Sequence, residues 1–147
     1  YNRPRGILLT TCKGVLVENC TFYDMYQGIC MNGDSNDWFE SGPCDGIVIR
    51  NNNFDNCAYA GSRVITADPH MIKHGEKYHK NITVEGNTFR MHENRIFSLN
   101  ECDGIEIKNN IFVCDESLPS HSTDKSTESE MFRNCDNVNF EPVKEEK

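Results

Sequence analysis

The stretch Gly104-Ile105-Glu106-Ile107-Lys108-Asn109-Asn110-Ile111-Phe112 decides the fold, because the chain repeats it. Gly14-Val15-Leu16-Val17-Glu18-Asn19-Cys20-Thr21-Phe22, Gly46-Ile47-Val48-Ile49-Arg50-Asn51-Asn52-Asn53-Phe54 and Asn81-Ile82-Thr83-Val84-Glu85-Gly86-Asn87-Thr88-Phe89 superimpose on it. A degenerate fifth copy is Asn137-Val138-Asn139-Phe140. Each copy runs turn, apolar, variable, apolar, polar, Asn-rich turn, Phe. Alternation at period two predicts a short strand with one buried face. The phenylalanines are 32, 35 and 23 residues apart. The shortest spacing suits one turn of a parallel β-helix, and the longer ones suit a turn plus an inserted loop. Stacked turns bring like residues into register about 4.8 Å apart. Asn52, Asn87 and Asn110 would then form a corner ladder, with amides bonding along the stack and Asn taking the left-handed conformation the corner needs.

A second strand precedes each copy. The candidates are Gly6-Ile7-Leu8-Leu9, Gly28-Ile29-Cys30-Met31, Arg63-Val64-Ile65-Thr66, Arg95-Ile96-Phe97-Ser98 and Met131-Phe132. The reading is therefore all-β: a parallel β-helix solenoid of about four to five turns. One domain covers residues 1–143, with residues 144–147 as a frayed tail.

Composition narrows the function. The 147 residues carry a formal charge of −8 and a mean hydropathy of −0.65. An acidic chain lacks the basic face that nucleic acids require. No stretch approaches the roughly 20 apolar residues of a membrane-spanning helix. Residues 1–6 show no charged and then apolar leader, so the start reads as a mature form or an excised fragment. Cys12, Cys44, Cys102 and Cys135 each lie two residues before a repeat, and His79 takes that place in the third turn. A register-locked set predicts an interior ladder of small buried thiols. Disulfides stay open for Cys20, Cys30, Cys57 and Cys114. No Cys-x-x-Cys pair points to zinc.

Insertions fall at one place in the turn, near residues 35–43 and 69–78. In a solenoid, loops on one face build the binding surface. The strands leading into them end in acids: Asp34, Asp68 and Glu101 on three successive turns. Stacked like charges are unfavourable without a purpose. Paired carboxylates acting as acid and as base or nucleophile in glycoside hydrolysis supply one. Solvated turn acids or a calcium site are the alternatives. Trp38, beside Phe39 in the first insertion, offers an aromatic face for a sugar or an anchor for its loop. His70 and His74 are four apart but lack a helical pattern, so they read as polar substrate contacts and not as metal ligands. Arg63 and Arg95 precede strands and read either as partners of these acids or, more commonly, as members of surface ion pairs. The Ser- and Thr-rich residues 117–130 read as a mobile loop.

Three segments carry a resemblance: Arg3-Pro4-Arg5-Gly6-Ile7-Leu8-Leu9-Thr10-Thr11-Cys12, Gly33-Asp34-Ser35-Asn36-Asp37-Trp38-Phe39-Glu40-Ser41-Gly42, and Asp45-Gly46-Ile47-Val48-Ile49-Arg50-Asn51-Asn52. Together they resemble glycoside hydrolase family 110, the α-1,3-galactosidases of gut and marine bacteria, some of which act on the blood-group B antigen. The middle segment is the most specific. The resemblance implies a right-handed β-helix and an inverting exo-hydrolase that needs no cofactor or metal. It implies aspartates on neighbouring turns as the catalytic groups: Asp34 and Asp68, with Asp45 next. Asp37, Trp38, Glu40, Arg63, His70 and Glu101 are the candidate substrate contacts. The implied partner is a galactose-containing glycan, in an extracellular or periplasmic bacterial setting. Family members are several hundred residues long, so the chain reads as the C-terminal part of a catalytic domain. A non-catalytic carbohydrate-binding or structural β-helix module and a polysaccharide lyase are the competing readings.

Overall fold

The computed structural model describes residues 5–10, 13–34, 42–69, 77–121 and 128–146. It is a right-handed parallel β-helix of five stacked layers. Each layer contributes three strands: β1 (Arg5–Leu8), β2 (Val15–Glu18) and β3 (Thr21–Tyr23), then β4 (Gln27–Cys30), β5 (Asp45–Arg50) and β6 (Asn53–Asp55). The third layer holds β7 (Ile65–Ala67), β8 (His79–Glu85) and β9 (Thr88–Met91), and the fourth β10 (Phe97–Asn100), β11 (Cys102–Lys108) and β12 (Ile111–Cys114). A four-residue helix α1 (Glu128–Met131) leads into the last layer, with β13 (Phe132–Arg133), β14 (Asp136–Phe140) and β15 (Lys144–Glu146). The three five-stranded sheets are β1-β4-β7-β10-β13, β2-β5-β8-β11-β14 and β3-β6-β9-β12-β15, parallel throughout. They are called here the first, second and third sheets.

The repeat is therefore two strands and not one. Its Asn corner bends the chain so that each phenylalanine starts a third sheet. Phe22 stacks on Phe54 at 4.7 Å between ring centres, and Phe54 on Phe89 at 4.9 Å. The isoleucines and valines of the second sheet meet them in a thin core: Ile47, Ile49, Ile82, Val84, Ile105 and Ile107 are all buried.

The Asn ladder forms as expected. Asn52 Nδ2 donates to Asn87 Oδ1 and Asn87 Nδ2 to Asn110 Oδ1, both at 3.0 Å. The left-handed residue, however, is the one before the ladder: Asn19, Asn51, Gly86 and Asn109 have φ between 54° and 64°. That residue turns the chain, which frees the next side chain to point inward and bond along the stack.

The tail expected to fray is paired instead, since Lys144, Glu145 and Glu146 align with Ile111, Phe112 and Val113. The stretch expected to be mobile is also tied down as far as residue 121. Ser117 donates to Asp115, His121 N–H donates to Glu93 Oε1 at 3.1 Å, and Ser120 Oγ donates to the same carboxylate.

The cysteine register holds. Cys44 and Cys102 are fully buried on either side of His79, and Cys135 is half-buried one layer further on. All cysteines among the described residues are thiols. Cys12 lies outside the described residues. His79 Nδ1 accepts the Cys44 backbone N–H at 3.1 Å, and its Nε2 has no hydrogen-bond partner. Burial pushes the His79 pKa down to about 4. Unfolded, the ring takes a proton near pH 6.5; folded, only near pH 4. Stability from the neutral ring is complete above pH 6.5 and drains away as the pH falls toward 4, by about 3 kcal/mol in all. His79→Asn keeps an acceptor near the Nδ1 position but cannot titrate. The denaturation midpoint of that variant should fall less than wild type between pH 7 and pH 4.5, and an equal fall would refute the assignment.

Candidate functional site

The first sheet carries the site on its outer face. Ile7, Ile29, Ile65 and Phe97 align and point inward, as do Ala67, Leu99 and Phe132. Residues between them therefore face out. On β7 and the residue after it these are Thr66 and Asp68, and on β10 they are Ser98 and Asn100. Arg133 on β13 and Asn32 just past β4 complete the row. All of these but Asn100 line a cavity of about 410 Å³ together with Tyr26, Gln27, Arg63 and Glu130.

Asp68 is the best-held acid here. Its backbone N–H donates to Asn32 Oδ1 at 3.0 Å. Asn100 Nδ2 donates to Asp68 Oδ1 at 3.0 Å, and Arg133 Nη2 reaches the same oxygen at 3.3 Å. Asn134 Nδ2 in turn donates to Asn100 Oδ1 at 3.0 Å. Polar side chains from the next two layers, Asn100 and Arg133, thus fix Oδ1, while among the described residues Oδ2 accepts nothing. The Asp68 side chain remains 43% exposed, which leaves Oδ2 reachable from the cavity. Thr66 is buried at 5% exposure with its hydroxyl oxygen unbonded, directly beside Asp68 on the strand.

The three acids expected in one row do not share a register. Counting from Ile29 and Ile65 places Asn32, not Asp34, beside Asp68. Counting from Leu99 places Asn100, not Glu101, on the other side. The acids stand at unequal distances along their strands: Asp34 is two residues past Asn32, and Glu101 is one past Asn100, a step that exchanges the faces. Arg63 and Arg95 stand one place before the equivalents of Gly28, which are Val64 and Ile96.

Asp34 is buried, two residues beyond the Asp68 neighbour. Glu101 is buried at 2% exposure in the left-handed corner between β10 and β11, with φ 55°. Its carbonyl accepts the Tyr78 N–H at 2.6 Å. Asp45 lies past that corner on the second sheet, where Oδ1 accepts from Asn81 Nδ2 at 2.7 Å. Arg63 lines the cavity, and its Nη1 donates to the Ser62 carbonyl at 3.2 Å. Arg95 is buried and donates to the carbonyls of Ser62 and Gly61, at 3.1 and 2.7 Å, in place of the acid expected for it. The arginine seen to pair with Asp68 is Arg133. Trp38, Asp37, Glu40 and His70 lie outside the described residues.

Sequence reasoning missed Asn32, Thr66, Ser98, Asn100, Glu130 and Arg133. A count outward from the aligned inward residues Ile29, Ile65 and Phe97 would have found the first four. Among the described residues no group of three His, Cys, Asp or Glu side chains is placed to hold a metal ion. No helix there is long and apolar enough to cross a membrane.

Comparison with known proteins adds two findings. The chain is 37% identical over 139 residues to alpha-1,3-galactosidase A of Bacteroides thetaiotaomicron, covering 91% of this chain and 23% of that protein. It is 33% identical over 124 residues to alpha-1,3-galactosidase A of Shewanella woodyi, covering 83% and 20%. It is 32% identical over 127 residues to alpha-1,3-galactosidase B of Bacteroides thetaiotaomicron, covering 81% and 21%. The chain thus spans about a fifth of the length of the curated relatives it matches. Residues 2–140 match the family described as right handed beta helix region. With five parallel layers beneath that match, the chain belongs to the right-handed β-helix family.

Proposed function

We propose that the chain is part of an exo-acting glycoside hydrolase that releases terminal α-1,3-linked galactose with inversion. The observation that carries the reading is Asp68, fixed through one carboxylate oxygen at the wall of a polar cavity, in a chain similar to α-1,3-galactosidases. Its second oxygen is the group that takes a proton from the attacking water. Asn100 and Arg133 hold Oδ1 so that Oδ2 keeps one position during the reaction.

The proton for the departing glycosidic oxygen comes from a second acid, which we assign to Asp34. Two residues of chain and one stacking step separate it from Asp68, no more than roughly 9 Å at the backbone. Inverting hydrolases place their carboxyl groups roughly 6.5–9.5 Å apart to admit the water. Asp45 has the lesser part of holding the corner through Asn81. Galactose packs its apolar face on Trp38, while Asp37, Glu40, His70 and Arg63 contact its hydroxyls and Glu101 supports the corner beneath them. Substrates of this kind are glycans outside the cytoplasm, in keeping with an extracellular or periplasmic site of action.

The test is to incubate the complete gene product with an α-1,3-linked galactoside and follow the reaction by proton NMR. β-Galactose should appear first and then mutarotate. α-Galactose as the first product would overturn inversion, and no galactose at all would overturn the activity.

A further inference from the structure

We propose that Cys102 and Cys135 are an oxidisable thiol pair that a disulfide can close, stapling the fourth layer of the β-helix to the fifth. Asp103 aligns with Asp136 on adjacent parallel strands, so the preceding cysteines are direct neighbours across one stacking step. Strand spacing of about 4.8 Å lies inside the α-carbon separation that disulfides span. Both thiols donate to carbonyls of the first sheet's strands, Cys102 to Asn100 at 3.3 Å and Cys135 to Leu99 at 3.4 Å. No third cysteine competes at this place, because His79 separates Cys102 from Cys44.

The two thiols have different chemical surroundings. Cys102 is fully enclosed, and its thiol donates to the Asn100 carbonyl at 3.3 Å. Cys135 is half-buried and sits beside a fixed cation. Lys77 Nζ donates to the Asn134 carbonyl at 2.6 Å and pairs with Asp136 at 3.2 Å, bracketing Cys135 from both chain neighbours. The neighbouring Cys102 thiol and the charge of Lys77 bring the Cys135 pKa down to about 7, while the neighbouring Cys135 and burial push Cys102 up. Cys135 is the reachable, thiolate-forming member and Cys102 the enclosed resolving member.

The co-reactant is a small-molecule disulfide of the glutathione class. The Cys135 thiolate attacks one of its sulfurs, the S–S bond breaks, and one glutathione thiolate leaves and takes up a proton. The Cys102 sulfur then attacks the Cys135 sulfur, the mixed disulfide breaks, and the Cys102 proton passes to the second glutathione as it leaves as a thiol. Two protein thiols are oxidised by two electrons, and one disulfide is reduced to two thiols. The closed loop joins the fifth layer to the fourth, in the interior of the described stack.

The experiment treats the complete gene product with oxidised glutathione, blocks remaining thiols with an alkylating reagent, and maps peptides by mass spectrometry. A cross-linked peptide joining Cys102 to Cys135 is expected, absent in Cys135→Ser and restored to two alkylated peptides by dithiothreitol. The oxidised protein should melt several degrees higher than the reduced one, because the bridge restricts the unfolded chain. A stable glutathione adduct on Cys135 with Cys102 still alkylatable would overturn the proposal. So would a cross-link that pairs either cysteine elsewhere.

Discussion

Replacing Asp68 with asparagine in the complete gene product should lower kcat toward an α-1,3-linked galactoside by about 10²- to 10⁴-fold, the range that one proton-transferring group contributes. KM should change little. Asparagine keeps an oxygen where Oδ1 accepts from Asn100 and Arg133, so the surrounding network can persist. What it loses is the capacity of Oδ2 to receive a proton from water. The ion pair to Arg133 is about half exposed on both sides, at 47% and 43%, so its removal costs under about 1 kcal/mol. A large fall in kcat with an unchanged melting temperature separates this loss of chemistry from a loss of fold. Wild-type turnover in Asp68→Asn would remove Asp68 from the mechanism.

Asn87→Ala should be the most damaging single change to the fold. Asn87 is fully buried, and its Oδ1 accepts both the backbone N–H and the side-chain Nδ2 of Asn52, each at 3.0 Å. Its Nδ2 donates to the Ile49 carbonyl at 3.0 Å, to the Glu85 carbonyl at 3.1 Å and to Asn110 Oδ1 at 3.0 Å. Alanine strands at least the two Asn52 donors and the Ile49 acceptor away from water. Each orphaned buried group costs about 1–3 kcal/mol, so the total should be on the order of 4 kcal/mol. Substituting Asn109, one residue before the ladder at φ 55°, costs only the left-handed backbone preference of about 1 kcal/mol. Urea unfolding of the two variants checks the contrast. Equal effects would mean that the corner turn, and not the buried amide, carries the stability.

The core was legible in the sequence for a physical reason. Parallel stacking repeats each inward environment at every layer, so the same residue type returns at the same place. Phe22, Phe54 and Phe89 and the three ladder asparagines show it, and Cys44 and Cys102 show it on either side of His79. The third strand escaped notice because it is only three or four residues long and shares its phenylalanine with the repeat.

The outer face of the first sheet was much less legible. Leu8, Cys30, Thr66 and Ser98 occupy one outward column and share no chemistry. With no repeating residue to set the count, the acids were aligned by their distance from the inserted loops. That yielded Asp34, Asp68 and Glu101 in place of Asn32, Asp68 and Asn100. Arg133 escaped because its strand has only two residues, too few for any period.

The central claim is that galactose sits over the outer face of the first sheet, against Asp68. It is tested most directly by the crystal structure of the complete gene product carrying Asp68→Asn, with an uncleaved α-1,3-linked galactoside bound. The terminal galactose should lie in the cavity between Thr66, Ser98 and Arg133, with a water between its anomeric carbon and residue 68. A galactoside seated on the second or third sheet, with that cavity empty, would contradict the account.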